Sequence, residues 1–267
     1  MLTLTTLASG SSGNCLLVDD GETRLLVDAG ISCRRICKAL RELGVEPGAL
    51  SGILITHEHS DHISGLTTLT KQFRLPVYAS QGTARQLCYR IAFLEEVIRP
   101  FSAGASLALG SLEARSFPTS HDAADSVGYT FTDGTYKLAV ATDLGVVTDV
   151  VYEQIRGAHL ALVEANHDVE WLLSGPYPYY LKQRILGEKG HLSNEAGAQL
   201  ACSAVASGAH TVILAHLSKE NNTPQRAFDT VHAALTRQGA AVGRDVILEV
   251  APRGETGRRH SASRGTS

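Results

Sequence analysis

No pair of cysteines in this sequence is spaced C-x-x-C, and the five present (Cys15, Cys33, Cys37, Cys88 and Cys202) are odd in number and widely scattered. That argues against a disulfide framework and fits a reduced compartment. Cys33 and Cys37 lie one helical turn apart, which reads as a shared helix face rather than a site. No segment approaches about 18 apolar residues in a row, and the opening MLTLTTLASG has no basic stretch ahead of an apolar run. Neither a membrane-spanning helix nor a secretion signal is expected, and the expected location is cytoplasmic. Charge of one sign is lacking too. With a formal net charge of −3, the chain is no bulk binder of polyanions, so contact with nucleic acid needs a local basic patch.

What is present is ample material for a core. Of 267 residues, 43% are hydrophobic and 19% charged, the balance of a globular chain. Short runs rich in Leu and β-branched residues (LTLTTLA, NCLLVDD, RLLVDAG) open the sequence as a strand meander. A helix over 33–43, the strand GILIT, a helix over 63–73, the strand PVYAS and a helix over 83–93 follow. Residues 105–142 hold four strands, SLAL, LEARSF, SVGYTF and KLAVAT. Beyond Thr148, strands HLALVEA, TVILAHL and VILEV alternate with helices over 149–156, 194–207 and 224–238. Strand runs at both ends of the chain, each with helices, predict an α/β fold of two sheets packed face to face with helices outside. The end, PRGETGRRHSASRGTS, has no hydrophobic period. It predicts a domain over 1–251 and a disordered basic tail over 252–267, whose arginines either touch nucleic acid or stay solvated.

The stretch GILITHEHSDHISG sets an apolar strand directly against His57, His59, Asp61 and His62. A single histidine after a strand is usually a surface or core residue. Three histidines and an aspartate within six positions are hard to accommodate in a core, because that much buried polarity needs partners. Imidazole and carboxylate suit divalent zinc, and manganese or iron with less preference. Single ligands recur where other apolar runs end: His121 after LEARSF, Asp143 after KLAVAT and His216 after TVILA. Each alone is weak; together they are enough nitrogen and oxygen ligands for two metals at one edge of the sheets.

These residues resemble the metallo-β-lactamase fold family, whose H-x-H-x-D-H signature is met by His57, His59, Asp61 and His62. The resemblance implies a four-layered αββα sandwich with a di-metal site at one edge of the sheets. It implies one metal on His57, His59 and His121, a second on Asp61, His62 and His216, and Asp143 bridging them. Asp28 in LLVDAG matches an early aspartate that supports the metal loop by hydrogen bonds rather than by ligation. Two such ions can share a hydroxide and clamp the oxygens of a substrate in displacement.

The fold hosts several hydrolytic chemistries, so the reaction has to come from the site. In GHLSNEAGAQLACSAVASGAHTVILAHLS, His191 precedes Ser193, a good helix N-cap. The layout resembles the phosphodiesterase branch of the fold, where a His-x-Ser/Thr pairs with a glutamate from the preceding strand, here Glu164 in LALVEANHD. Such a pair suits phosphodiester cleavage, since an alkoxide leaves poorly without a proton. Asp61, Glu164 and His191 are the residues expected to act in catalysis, Asp61 also as ligand.

LASGSSGNCLLV, ANHD, GPYPYYLKQRILGEKGHLSN and LAHLSKENN together resemble the YycJ/WalJ-like subfamily. That implies a bacterial 5′→3′ DNA exonuclease with two divalent ions, zinc or manganese, acting on single-stranded DNA or 5′ ends. Between Asp143 and His216 there is no room for a separate inserted domain, so one domain with an open site is expected. Ser11, Ser12, Asn14, His167 and Ser193 are candidate substrate-binding residues. SGSSGN reads either as a plain turn or as a nest of backbone N–H groups for a phosphate. Lys182, Arg184 and Lys189 supply a local positive field or form a solvated face; KENN (219–222) orients substrate or shapes a loop. Trp171, Tyr177, Tyr179 and Tyr180 read better as aromatic packing under a lid than as base-stacking residues. The competing functions are a small-molecule cyclic phosphodiesterase, a thioester or lactone hydrolase, and a metal-bearing binding protein without catalysis.

Overall fold

The computed structural model describes residues 1–263. The first sheet contains β1 (Thr3–Ala8), β2 (Cys15–Asp19), β3 (Arg24–Val27), β4 (Gly52–Leu54), β5 (Val77–Ser80) and β6 (Ile98–Phe101) in spatial order. The second contains β7 (Ser106–Leu109), β8 (Leu112–Pro118), β9 (Val127–Thr132), β10 (Lys137–Ala141), β11 (Leu160–Glu164), β12 (Thr211–Ala215) and β13 (Ile247–Val250). β14 (Arg259–Ser261) adds to the first sheet beside β1. Each sheet is antiparallel at one end and parallel at the other.

Period-two alternation within apolar runs explains the layering. Leu16, Leu25, Leu160 and Leu162 meet between the sheets, with Tyr129 and Phe131. Their neighbours Leu17 and Leu26 face outward onto α1 (Cys33–Glu42), α3 (Leu66–Phe73) and α4 (Gln81–Arg90). Ala161 and Val163 face α5 (Asp149–Ile155), α8 (Asn194–Ala206) and α9 (Pro224–Arg237). Strands buried on both faces read as continuous apolar runs, and the result is the expected αββα sandwich.

Several elements differ from expectation. The helix expected over 63–73 begins later, as α3, after a separate turn α2 (Ser60–Ile63), and β6 was not anticipated. Two short helices, α6 (Val169–Ser174) and α7 (Tyr179–Leu186), occupy a Pro- and Gly-rich stretch where no helix was expected. The disordered tail expected over 252–267 does not hold for its described part; 264–267 lie outside the described residues. β14 pairs antiparallel with β1, and the N–H of Gly257 donates to Thr6 O at 2.8 Å. The free edge of β1 supplies the backbone partners, which a composition argument cannot see. The basic side chains are engaged as well: Arg253 donates to Leu217 O and Ser218 O, and Arg258 pairs with Glu249. Among the described residues no helix is long and apolar enough to cross a membrane.

Candidate active site

Strands β1, β3, β4, β8, β10, β11 and β12 all run towards one edge, and the residues after their ends meet there. Among the described residues, four non-glycines have φ in the left-handed region, and three of them stand at this edge. They are Asp28 (φ 63°), Asp143 (φ 60°) and His216 (φ 57°), each at or next to the end of a strand. Such a conformation costs about 1–3 kcal/mol and persists only where the surroundings impose it. For His216 the restraint includes Ser9 Oγ, which accepts from the His216 N–H at 2.9 Å. Gly30 is needed for close approach, since a Cβ there would lie 1.7 Å from Asp61 O.

Each buried candidate-ligand imidazole is held from behind, leaving its other nitrogen to the centre. Asp28 Oδ2 accepts from His62 Nδ1 at 2.7 Å and from Thr56 Oγ1 at 2.8 Å. Thr56 Oγ1 in turn lies 3.1 Å from His57 Nδ1 and accepts its proton. His121 Nδ1 donates to Gly190 O at 3.0 Å, and His216 Nδ1 to Glu164 Oε1 at 2.9 Å. That pattern assigns the free lone pairs to Nε2 of His57, His62, His121 and His216.

His57, His59 and His121 bring ligand atoms within 4.8 Å of one another, as do Asp61, His62 and His216. Asp143 lies between the groups: Oδ1 is 3.8 Å from His121 Nε2 and 3.5 Å from His216 Nε2, and Oδ2 is 3.6 Å from His62 Nε2. His57 Nε2 and Asp143 Oδ2 are buried with no hydrogen-bond partner. Unpaired buried atoms of this kind are costly, and a divalent cation would satisfy both. The donor set of imidazoles and carboxylates fits such an ion.

Electrostatics of the protein alone point the same way. Burial opposes a charge on His62, but the carboxylates of Asp143 and Asp28 override it and raise its pKa well above the histidine value. His216 is pushed up to about 10, against burial, by Asp143, Asp61 and Glu164. Asp143 is held far below the carboxylate range despite burial, by His216 and His62 first. A cation entering here displaces protons from these imidazoles.

Glu164 and His191 are joined, Oε1 to Nδ1, at 2.7 Å. Oε1 thus accepts from both His191 and His216, while Oε2 accepts from the N–H groups of Leu144 and Leu192. Against burial, His191 and His216 hold its pKa down to about 2. Glu164 comes within range of a metal group with Asp143, His191 and His216, but its four acceptor sites are already filled. His191 lines the cavity; Glu164, wholly buried, does not. Glu164, expected to act in catalysis, thus holds His191 and His216 from behind rather than facing the cavity.

The Beta-lactamase superfamily domain matches residues 23–217. The chain belongs to the metallo-β-lactamase superfamily. Within it, the chain is 40% identical to "Exodeoxyribonuclease YycJ" of Bacillus anthracis over 240 residues, 89% of this chain and 90% of that protein. It is also 40% identical to "Exodeoxyribonuclease WalJ" of Streptococcus pneumoniae over 243 residues, 90% of each, and it belongs to their family. The crystal structure of YhfI from Bacillus subtilis, a metallo-β-lactamase fold protein, shares the fold at a TM-score of 0.70 and 16% identity, covering 96% of this chain and 98% of that one.

Against this family background, the candidate substrate-binding residues divide. Ser11 lines the cavity of about 340 Å³ over the ligand group, whereas Ser12, Asn14, His167 and Ser193 do not. Asn14 is turned inward: Oδ1 accepts from Gly10 N at 2.9 Å, and Nδ2 lies 3.1 Å from His62 Nε2. Much of the backbone nest is engaged inside the protein, since the N–H groups of Gly10, Ser11, Gly13 and Asn14 donate to Asn14 Oδ1, Leu217 O, Gly10 O and Asp61 O. Ser193 Oγ caps α8 by accepting from Ala196 N. His167 is 1% exposed, and burial lowers its pKa to about 4. Asn222 bonds Ala165 O, Asn166 O and Asn194 Oδ1, so this part of KENN shapes the loop. Tyr179 and Tyr180 are exposed rather than packed under a lid, and Trp171 stacks on Arg226 at 4.1 Å.

Sequence reasoning missed Glu58, Asp122 and Asn166. Glu58 Oε1 accepts from Ala124 N and Oε2 from Thr83 Oγ1, which braces the loop carrying His121. Asn166 Nδ2 donates to His216 O at 2.8 Å and lines the cavity. Glu58 sits between two ligand histidines and Asp122 beside His121, a positional signal that was available.

Proposed function

We propose that the chain is a metal-dependent exonuclease that hydrolyses DNA from the 5′ end with two divalent ions, zinc or manganese. The observation that carries it is the Glu164–His191 pair set against the ligand group, with His191 on the cavity and Glu164 behind it. The two family relatives named above are exodeoxyribonucleases. His57, His59 and His121 would hold one ion and Asp61, His62 and His216 the other, with Asp143 shared between them. When bound, such a pair of ions supplies a nucleophile deprotonated near neutral pH and neutralises charge on the phosphate oxygens. His191 delivers a proton from Nε2 to the leaving alkoxide, and Glu164 keeps the ring in register by accepting from Nδ1. Asp61 orients the nucleophile as well as serving as ligand. Ser11 meets the substrate at the opposite rim, and the catalytic domain sits in a reduced, cytoplasmic setting.

A cavity of about 340 Å³ also admits a small cyclic phosphodiester, the second reading. One assay separates them: single-stranded DNA labelled at either end, and a cyclic phosphodiester, each with zinc and with manganese. Short labelled products from the 5′ label are expected. Shortening from the 3′ end alone refutes the direction, and hydrolysis of the cyclic substrate without DNA cleavage favours the second reading.

A further inference from the structure

Beside His191, whose N–H donates to Ile185 O at 3.0 Å, stands a wall that the proposed chemistry does not use. Tyr177, Leu181, Arg184 and Ile185 line it; the last three share one stripe of α7, and Tyr177 lies in the approach just ahead of that helix. No residue of α7 is buried. Arg184 Nε pairs with Asp122 Oδ2. The other oxygen of that carboxylate lies 3.4 Å from His121 Nε2 and 3.9 Å from His59 Nε2. One carboxylate's width therefore separates the guanidinium from the ligand imidazoles. A phosphate can replace a carboxylate on arginine with the same forked geometry. Over 182–189 the charges are Lys182, Arg184 and Lys189 against Glu188, a local +2 in a chain of −3.

We propose that Arg184 and Tyr177 form a subsite for the nucleotide next to the bond that is cut. Arg184 leaves Asp122 for the neighbouring phosphate, and Tyr177 receives that nucleotide's base. The substrate is then a strand with at least two consecutive phosphates and an unstacked base, not an isolated phosphodiester. The inference rests on the nuclease reading.

Three substrates test it: a thymidine trinucleotide with two phosphates, a dinucleotide with one, and bis(p-nitrophenyl) phosphate. For the wild type, KM for the trinucleotide is expected to be at least about tenfold below that for the dinucleotide. Arg184→Ala should raise KM for the trinucleotide about 10–100-fold, the worth of a charge-assisted hydrogen bond. Its kcat, and its action on the other two substrates, should stay within about twofold. Arg184→Lys should recover part of the loss, Tyr177→Phe should behave as wild type and Tyr177→Ala should not. Tyr179→Ala, off the stripe, is the control. In a separate measurement, a labelled oligo-dT is bound to the metal-stripped variants; Arg184→Ala should lower the salt slope by about 0.7. Equal losses on all three substrates, no advantage of two phosphates in the wild type, or an unchanged salt slope would overturn the subsite. If bis(p-nitrophenyl) phosphate is hydrolysed and neither nucleotide is, the nuclease reading falls instead, and the binding measurement still decides the subsite.

Discussion

The floor of the cavity and its α7 wall hold their side chains by opposite means. In and beneath the floor, His57, His62, Asp143 and His216 are at most 2% exposed, and the three imidazoles each have a hydrogen bond at Nδ1, behind the nitrogen turned to the group. On the wall, no residue of α7 is buried, and Arg184 is held by one ion pair with 60% of its side chain exposed. Residues that share one ion must converge to within a fraction of an ångström, and strand ends with an over-determined backbone allow that. Recognition of a flexible strand tolerates, and gains from, a low-stability element at the rim.

Breaking the floor should produce the largest effects. Asp143→Ala takes from the charged imidazoles of His62 and His216 one of the two carboxylates they share, leaving Asp61. It is expected to lower the stability of the metal-free protein by about 3–5 kcal/mol. Elemental analysis should find at least one ion fewer per chain, and full metal content in this variant would contradict the shared role. His191→Ala comes next. Metal content should be unchanged, while DNA cleavage falls by about 10²–10⁴-fold. A nitrophenyl phosphodiester, whose leaving group needs no proton, should lose much less; equal losses would show phosphate binding instead of proton delivery.

Glu164→Gln tests the link between ligand and catalytic pair. Because Glu164 holds both His191 and His216, metal affinity should weaken by about 10–100-fold, an effect absent from His191→Ala. The double variant should be clearly less than multiplicative at saturating metal. Competition against a chelator reads the affinity, and an unchanged value would confine Glu164 to His191.

The floor also predicts a pH dependence. With its pKa raised to about 10, His216 stabilises the metal-free protein fully below its ordinary 6.5, and that contribution is lost as pH rises towards 10. Glu164, lowered from 4.5 to about 2, contributes above 4.5 and loses that contribution as pH falls towards 2. A bound cation needs His216 deprotonated. The gap in Tm between loaded and stripped protein should therefore widen from about pH 6 to about pH 9, and a flat gap would mean His216 is already neutral. The smallest effect belongs to the wall. Arg184→Ala should shift the urea unfolding free energy by less than about 0.5 kcal/mol; a larger shift would show that α7 is part of the cooperative core.

The sandwich, and the gathering of these histidines and aspartates at one edge of it, were legible because those signals are local. Six consecutive positions carry H-x-H-x-D-H, Asp143 and His216 directly follow KLAVAT and TVILA, and His121 follows LEARSF after three residues. Thr223 and Pro224 likewise announce the start of α9, where Thr223 Oγ1 accepts from Arg226 N. Less legible were β6, whose Pro100 suits the edge strand it occupies, and β14, which is ordered by the free edge of β1 rather than by its own composition. Asn14, His167 and Ser193 stand near the site in sequence terms, yet their side chains turn to His62, the interior and the α8 cap. The sequence by itself determined which atoms are available to bind a cation. Only the tertiary structure decided which of them face the cavity and which stand behind it. A side chain's direction at a strand end depends on the non-local carbonyls, carboxylates and strand edges that accept its hydrogen bonds.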